Sequence, residues 1–258
     1  SAASSDSDFT VAVGHQAGMA ITSGDGNVIL GAYAGSTLED LDNSVIIGRQ
    51  AAQSGNLTAA ADGLIAIGYQ AMKVHTTGAR NIAIGYNAMS DTDAGSTSLG
   101  SGDNIFIGYA AGGGTWVDAA SSNNLAIGHY TMDAALNGAA GNIALGNLSL
   151  SAITTGDDNI AIGYAALQAA DGAEDNNVAI GRNALASRTS GTGNVGIGYN
   201  AGDAITTAQG NVAIGYSALT AQNFTTATDT FNVAVGYGAG VAVTTGTRSV
   251  FIGGAAGD

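Results

Sequence analysis

Six residues from Gly191 to Gly196 read Gly-Thr-Gly-Asn-Val-Gly, the glycine spacing that binds the phosphates of a dinucleotide. Phosphate binding requires those glycines to follow a strand and open a helix, because the phosphates bind at the helix N-terminus. Here the segment lies inside a short repeat and comes before an apolar stretch typical of a strand. We therefore interpret the match as a coincidence in a glycine-rich chain.

The three histidines are the side chains best suited to acid–base or metal chemistry near neutral pH. His15 and His129 occupy a repeat position that holds Tyr in seven other copies, and His75 lies alone in a turn. No nucleophile, base and orienting group fall together outside the repeat positions. The chain is therefore predicted not to be an enzyme.

Acidic residues concentrate in turns, as at Asp91, Asp157, Asp158, Glu174 and Asp175. Carboxylate oxygens in such turns could bind Ca²⁺. The nonapeptide pattern of calcium-binding β-rolls is absent, however. A solvated edge that keeps the protein soluble is the favoured interpretation, with calcium as the weaker alternative, so no cofactor is predicted.

Aromatic side chains are the best candidates for contact with a glycan or a receptor. Tyr follows the central glycine of the repeat in seven copies, and the only tryptophan lies in a lengthened segment, where insertions often form binding loops. Aromatic rings stacked coil upon coil would also simply stabilise the structure. The candidate surface contacts are Tyr86, Trp116, Tyr164 and Tyr216.

A repeat that occupies nearly the whole chain positions all of these residues. It is clearest in the nine residues Asn-Val-Ala-Ile-Gly-Tyr-Ser-Ala-Leu that begin at Asn211, and it recurs fourteen times at steps of 17 to 23 residues. A fixed period of this kind is the mark of a repeat architecture. The central glycines are Gly14, Gly31, Gly48, Gly68, Gly85, Gly108, Gly128, Gly146, Gly163, Gly181, Gly198, Gly215, Gly236 and Gly253.

The residues before each glycine predict a short strand. Aliphatic residues flank a third residue that is Ala in nine copies, and β-branched side chains favour an extended backbone. Residues two apart in a strand share a face, so we expect the aliphatic pair to line the core and the Ala to point away from it. The predicted core ladder includes Val11, Val13, Ile82, Ile84, Ile160, Ile162, Val212 and Ile214.

The predicted corners lie on either side of this strand. Asn stands four residues before the glycine in ten copies, where its tolerance of left-handed conformations and its bonds to nearby backbone suit the entry corner. The glycine itself is expected to form the exit corner at positive φ.

One coil buries too little apolar surface to offset its loss of backbone entropy, so the coils must stack. The sequence therefore predicts an all-β protein, a parallel β-solenoid or β-roll of about fourteen coils of 17–23 residues. Residues 1–258 are expected to form one domain, with residues 1–10 as a leader.

Composition excludes several classes of partner. The net charge is −14, which opposes binding to nucleic acid and to anionic membranes. No segment has the length and hydrophobicity of a membrane span, and residues 1–10 are not a signal peptide. The chain has no cysteine, which is compatible with an extracellular protein that lacks disulfides.

The phrases Asn-Val-Ala-Ile-Gly and Asn-Ile-Ala-Ile-Gly resemble the head repeats of trimeric autotransporter adhesins, and similar phrases occur in bacteriophage tail fibres. The resemblance covers about five residues per coil along nearly the whole chain. It implies a left-handed parallel β-roll, a secreted or cell-surface location, a role in adhesion and lateral trimerisation. The period here is longer than that of the adhesin heads.

We expect an extracellular structural or adhesive subunit that assembles with itself, head to tail, into a fibre. The residues expected at the assembly ends are Ser1, Phe9, Phe251 and Asp258. The alternative is a receptor- or glycan-binding module of an adhesin or phage tail fibre. An ice-binding solenoid is the third interpretation, because Thr pairs recur at turns of five coils, as at Thr154-Thr155 and Thr206-Thr207.

Overall fold

A computed structural model describes residues 9–37, 39–53, 61–75, 77–92, 100–117, 119–172, 174–187, 190–222, 224, 226 and 228–258. Over these residues the protein is all-β and contains no helix. It is a parallel β-solenoid of about 13 turns, so the predicted fold class is confirmed. The three-residue strands coincide with the aliphatic triplets of the repeat, one strand for each of the fourteen copies.

The chain divides into two compact units, residues 1–138 and residues 139–258. The expected single domain stays a prediction. The first unit contains β1 (Val11–Val13), β2 (Val28–Leu30), β3 (Val45–Ile47), β4 (Ile65–Ile67), β5 (Ile82–Ile84), β6 (Ile105–Ile107) and β7 (Leu125–Ile127). The second contains β8 (Ile143–Leu145), β9 (Ile160–Ile162), β10 (Val178–Ile180), β11 (Val195–Ile197), β12 (Ala208–Gln209), β13 (Val212–Ile214), β14 (Thr228–Asp229), β15 (Val233–Val235) and β16 (Val250–Ile252).

Within each unit the three-residue strands pair in parallel and in chain order, with each residue opposite its equivalent in the next repeat. Val178 lies opposite Val195, for example, and Ile180 lies opposite Ile197. The step of 23 residues between Gly85 and Gly108 leaves this register intact, because Ile82 still lies opposite Ile105. Extra residues are therefore absorbed outside the strands. The short strands β12 and β14 form a separate parallel pair.

Burial along the strands shows that the predicted inward face is wrong. The middle residue of the triplet is fully buried from β2 to β15, whereas the residues on either side of it are half-buried or exposed. In β9, Ala161 is 0% exposed and Ile162 is 36% exposed. The aliphatic residues that were expected to line the core point outward instead, namely Val11, Val13, Ile82, Ile84, Ile160, Ile162, Val212 and Ile214.

The small size of the solenoid interior explains why alanine faces inward. A Cβ added at Gly196, the glycine in the middle of β11, would lie 2.7 Å from Leu185 Cγ and 3.0 Å from the carbonyl oxygen of Ala201. Residues of the turn after each central glycine, such as Ala184 and Leu185, therefore fill the space behind the strand. At Gly196 even a methyl group would be too close. Most other coils hold an alanine methyl group in the middle position, and a larger side chain fits only where the turn makes room.

Larger inward residues lie against glycines of that turn. A Cβ at Gly112 would lie 2.6 Å from Phe106 Cδ1, and one at Gly18 would lie 3.2 Å from Ile29 Cδ1. Phe106 and Ile29 are both middle residues of strands and both are fully buried. The volume that the turn gives up is thus taken by the strand, as a close-packed interior requires.

The exit corner is as predicted. Gly163, which follows β9, has φ of 133°, and a Cβ there would lie 2.6 Å from the carbonyl oxygen of Gly181 in the next coil. A side chain is excluded both by the backbone conformation and by the close approach of two coils.

The entry corner differs from the prediction by one residue. Positive φ falls on the residue before the Asn, such as Asp158 or Asn176. The Asn itself is buried and forms a ladder: the backbone N–H and the side-chain Nδ2 of Asn177 both donate to Asn159 Oδ1, each at 3.0 Å. Asn142 accepts the same pair of bonds from Asn159. The Asn is thus selected for its side-chain bonds between coils.

Candidate functional site

The outward-facing aliphatic residues form the most extensive apolar surface of the fold. We call the first and third residues of the fourteen three-residue strands the outer strip. Ile127 is 41% exposed and Ile162 is 36% exposed, and both lie within rows of aliphatic neighbours. Seven coils at about 4.8 Å each give the strip a length of roughly 30 Å in each unit. Contiguous apolar surface of this kind marks interaction sites in soluble proteins.

Acidic residues are excluded from this part of the repeat. Counted from three residues before the central glycine to two residues after it, the fourteen copies contain none of the twenty Asp and Glu residues. The only permanently charged side chains in these positions are Arg49 and Arg182. The charge of a protein with net charge −14 is therefore confined to its other surfaces.

Stacked tyrosines lie along one margin of the outer strip, at the position after the central glycine. We call this position the tyrosine column. Ring centroids are 5.0 Å apart for Tyr69 and Tyr86 and 5.2 Å apart for Tyr86 and Tyr109. In the second unit, the separation is 5.1 Å for Tyr199 and Tyr216 and for Tyr216 and Tyr237. The ring faces thus cover one another, which leaves mainly ring edges and hydroxyls exposed.

Each unit has one arginine in the tyrosine column. The Arg49 guanidinium carbon lies 5.5 Å from the ring centroid of Tyr69, and that of Arg182 lies 5.3 Å from the ring centroid of Tyr164. Both are cation–π contacts, which orient the guanidinium and leave its N–H donors available. Among the described residues the only ion pair joins Arg80 to Asp103, at 2.6 Å, so neither Arg49 nor Arg182 is paired there.

Aspartates stand at the opposite margin of the strip, six residues before the central glycine. Among the described residues, the aspartates at this position are Asp25, Asp42, Asp62, Asp157 and Asp175, and we call them the aspartate edge. The backbone N–H of Asp42 donates to Asp62 Oδ1 at 3.0 Å, and that of Asp157 donates to Asp175 Oδ1 at 2.8 Å. Each carboxylate is therefore held against the neighbouring coil, with like charges stacked one coil apart.

The four aromatic residues predicted to lie on the surface differ in their exposure to solvent. Tyr86, Tyr164 and Tyr216 are exposed, at 46%, 48% and 47%. Trp116 is fully buried, so its assignment as a surface contact is wrong. Its ring lies 5.6 Å from that of Phe106, and its indole N–H donates to the carbonyl oxygen of Gly112 at 3.1 Å. The lengthened segment thus places Trp116 in the interior, against Phe106 and the backbone of Gly112.

The glycine-rich segment and two of the histidines belong to the repeat. Gly191 to Asn194 come before β11, and Asn194 is a member of the buried Asn ladder. His15 lies edge-on to Tyr33 at 5.2 Å, and the rings of His129 and Tyr109 are 6.3 Å apart. His15 and His129 are themselves members of the tyrosine column, and the predicted lack of catalysis stays a prediction.

His75 is buried, which its position in a turn did not predict. Its Nδ1 lies 2.7 Å from Thr92 Oγ1, and its Nε2 lies 3.0 Å from the carbonyl oxygen of Gly78. The carbonyl accepts from Nε2, and Asn81 Nδ2 donates to the same carbonyl at 2.8 Å. His75 thereby joins a turn to the Asn ladder.

Among the described residues, no three His, Cys, Asp or Glu side chains group as metal ligands would. The hydrogen bond from Arg80 lowers the pKa of Asp103 and raises that of Arg80. Burial raises the pKa of Asp133 and of Asp203. Neither carboxyl lies in the outer strip, whose aliphatic side chains do not titrate.

The threonine hydroxyls at the turns are used within the fold. Thr154 Oγ1 donates to the carbonyl oxygen of Asp171 at 2.9 Å, and Thr206 Oγ1 donates to that of Phe224 at 2.9 Å. Thr207 Oγ1 donates to the same oxygen of Phe224 at 2.7 Å. These three hydroxyls are bonded to the next coil, and the ice-binding interpretation stays a prediction.

The residues expected at the assembly ends have different surroundings. Ser1 lies outside the described residues. Phe9 is 90% exposed, and Asp258 is exposed. Phe251 is the middle residue of β16, where it lies opposite Ala234 and is half-buried.

The described residues contain no helix long and apolar enough to cross a membrane. No family model, curated protein or solved structure matches the chain.

Proposed function

We propose that the protein is a structural or adhesive subunit of an extracellular fibre, and that copies associate side by side through the outer strip. The observation that carries the proposal is the orientation of the strands, which turn Ala inward and two aliphatic side chains outward in each coil. A row of outward-facing aliphatic residues that contains no acidic residue is suited to burial against another surface.

The composition of the surface favours self-association over binding of a small ligand. Ligand sites are concave, with a few convergent polar groups, whereas the outer strip repeats the same apolar residues coil after coil. Tyr and Arg, which line one margin of the strip, are enriched at protein interfaces. The extracellular location and the fibre are proposed from the resemblance of the repeat to adhesin heads and tail fibres.

A second candidate function, glycan or receptor binding, is favoured by the exposed tyrosine column. Stacking covers most ring faces, but Tyr237 is 68% exposed, and the next residue in the column is Gly254. One face of this ring is therefore not covered by a column neighbour. A sugar could stack on it, because aromatic rings offer an apolar face with a polar tip.

Head-to-tail growth into a fibre stays a prediction, separate from lateral association. Association through the sides depends on the outer strip, whereas association through the ends would depend on the edges of β1 and β16. Substitutions in the strip should therefore leave head-to-tail contacts unchanged.

Replacing both Ile160 and Ile162 by Lys is expected to abolish lateral association without unfolding the monomer. Both side chains point outward, so the lysines can extend into water, but in an interface they would be buried charges next to one another. Sedimentation velocity over a range of protein concentrations measures the association, and circular dichroism measures the fold.

The matched control replaces Asp171 and Ser187 by Lys, because both are exposed and lie outside the outer strip. This variant should associate like the wild type. Equal association of the Ile160→Lys/Ile162→Lys variant and the control would contradict the proposed function, as would a wild-type protein that remains monomeric at the highest concentration.

A further inference from the structure

Resting on the proposed lateral association, we propose that the copies lie parallel and in register, with Arg49 and Arg182 of one copy paired to the aspartate edge of the next copy. The contact is heterologous: the arginine margin of one outer strip meets the aspartate margin of another. The partner is a second copy of this chain.

The same four-residue arrangement occurs once in each unit. In the first, the Arg49 guanidinium lies over Tyr69, so it is positioned between the coils that carry Asp42 and Asp62. In the second, the Arg182 guanidinium lies over Tyr164, between the coils that carry Asp157 and Asp175. A hydrogen bond from the backbone of one Asp to the carboxylate of the other joins each Asp pair.

In the second unit the neighbouring coils lack this coincidence, whereas in the first unit the aspartate edge continues to Asp25, whose backbone N–H donates to Asp42 Oδ1. Where the tyrosine column continues through Tyr199, Tyr216 and Tyr237, the residue six before the central glycine is neutral. Those residues are Thr192, Gln209 and Thr230. Both arginines of the tyrosine column therefore lie in coils that carry stacked aspartates. The stacked tyrosines Tyr199, Tyr216 and Tyr237 of the second unit lie in coils that do not.

The charges are complementary but are not joined within one chain. The only ion pair among the described residues is that of Arg80 with Asp103. The arginine and aspartate positions lie on opposite margins of the outer strip, with the strand between them. Stacked carboxylates repel one another, and opposite charges placed across from them remove that cost.

Side-by-side packing of two strips brings the arginine margin of one copy next to the aspartate margin of the other. The arginines of one copy and the aspartates of the other then lie at the same position along the solenoid axis only if the copies are parallel and their coils are in register. In the second unit, a slip by one coil would leave Arg182 facing Ala140 or Thr192 in place of one Asp. The ion pairs thus select one register, which the uniform aliphatic rows would not do alone.

A contact between identical chains through two different margins is a heterologous interface, which closes into a ring of copies if the rotation permits. Such ion pairs at the rim of an interface act mainly on specificity and on the association rate. They are also screened by salt.

The test uses the full chain with single charge reversals in the second unit. Arg182→Glu and Asp175→Arg are each expected to raise the dissociation constant of the assembly about tenfold at low salt. The double variant Arg182→Glu/Asp175→Arg should recover most of the wild-type affinity. An equimolar mixture of the single variants should associate more tightly than either variant alone, which an ion pair within one chain cannot explain.

Orientation is measured with spin labels on two single-cysteine variants, Gln50→Cys and Asn200→Cys, because the chain has no cysteine of its own. Parallel copies in register give short distances between equivalent labels in both variants. A long distance in either variant would overturn the inference.

The association of the wild-type protein distinguishes a failure of this inference from a failure of the proposed function. If the wild type associates through the outer strip, but the charge reversals leave its dissociation constant unchanged, the inference is wrong and the proposed function stands. Loss of association on adding a chelator, with no effect of Arg182→Glu, would also overturn it, because Ca²⁺ rather than arginine would then compensate the aspartates.

Discussion

Replacing Ala161 by Asp is expected to lower the free energy of unfolding by about 4 kcal/mol or more, enough to unfold many proteins of this size. Ala161 is fully buried in the middle of β9, so an Asp there would place a carboxylate in the interior. Chemical denaturation followed by circular dichroism measures the change. If the Asp variant does not fold, Ala161→Ser provides the milder test, with an expected loss of about 1–3 kcal/mol.

Ile162→Asp is the matched control, because Ile162 adjoins Ala161 and is partly exposed. At protein concentrations below the range of association, it should lose less than half as much stability as Ala161→Asp. A larger loss for Ile162→Asp would show that the aliphatic residues line the core after all.

Replacing Asn177 by Ala is expected to lower the free energy of unfolding by about 3 kcal/mol or more, because it leaves buried donors without acceptors. Asn177 Oδ1 accepts the backbone N–H of Asn194 at 2.9 Å and its Nδ2 at 3.3 Å. Its own Nδ2 donates to Asn159 and to the carbonyl oxygen of Gly191. Denaturant unfolding at one protein concentration measures the loss.

The control for the ladder is Asn200→Ala, which removes an Asn outside the buried column. Asn200 Oδ1 accepts a single bond from Asn183 Nδ2, at 3.2 Å and partly exposed to solvent. Its replacement should cost less than about 1 kcal/mol. Similar losses for the two variants would contradict a structural role for the Asn ladder.

The sequence alone was sufficient to predict the fold class, the strands and the glycine corners. Their signals repeat in each coil: an aliphatic triplet that is too short for a helix, and a glycine at a fixed distance after it. Stacking then follows from the inability of one coil to bury enough surface. Positive φ at Gly163 and its equivalents is confirmed because the corner is a local property of the backbone.

Alternation could not show which face of each strand points inward, because a period of two fits either face equally well. Hydrophobicity favoured the larger residues as the core, and that preference was wrong. The informative signal was volume: three of the four large middle residues, Ile29, Phe106 and Phe251, occur in coils whose turn has a glycine four residues after the central one, and the fourth, Ile46, is the exception. Only residues that share an interior would compensate for one another in this way.

The candidate interface was missed for a related reason. With Val and Ile assigned to the core, the predicted surface consists of alanine, tyrosine and acidic turns. The exclusion of acids from the outer strip is visible in the sequence, but it acquires meaning only when the strand is known to face outward. Burial of Trp116 was likewise beyond prediction, because it depends on contacts outside the repeat pattern, with the ring of Phe106 and the carbonyl oxygen of Gly112.

The central claim is that Ala161 faces inward while Ile162 faces outward and is covered by another copy. The reactivity of single-cysteine variants with a thiol reagent tests it most directly, since the chain has no native cysteine. In dilute solution, Ile162→Cys should react at least about tenfold faster than Ala161→Cys, whose thiol is exposed only by local opening. As the protein concentration rises, the reaction of Ile162→Cys should slow and that of Ala161→Cys should stay the same. Equal rates for the two thiols in dilute solution, or a rate for Ile162→Cys that does not depend on protein concentration, would contradict the account.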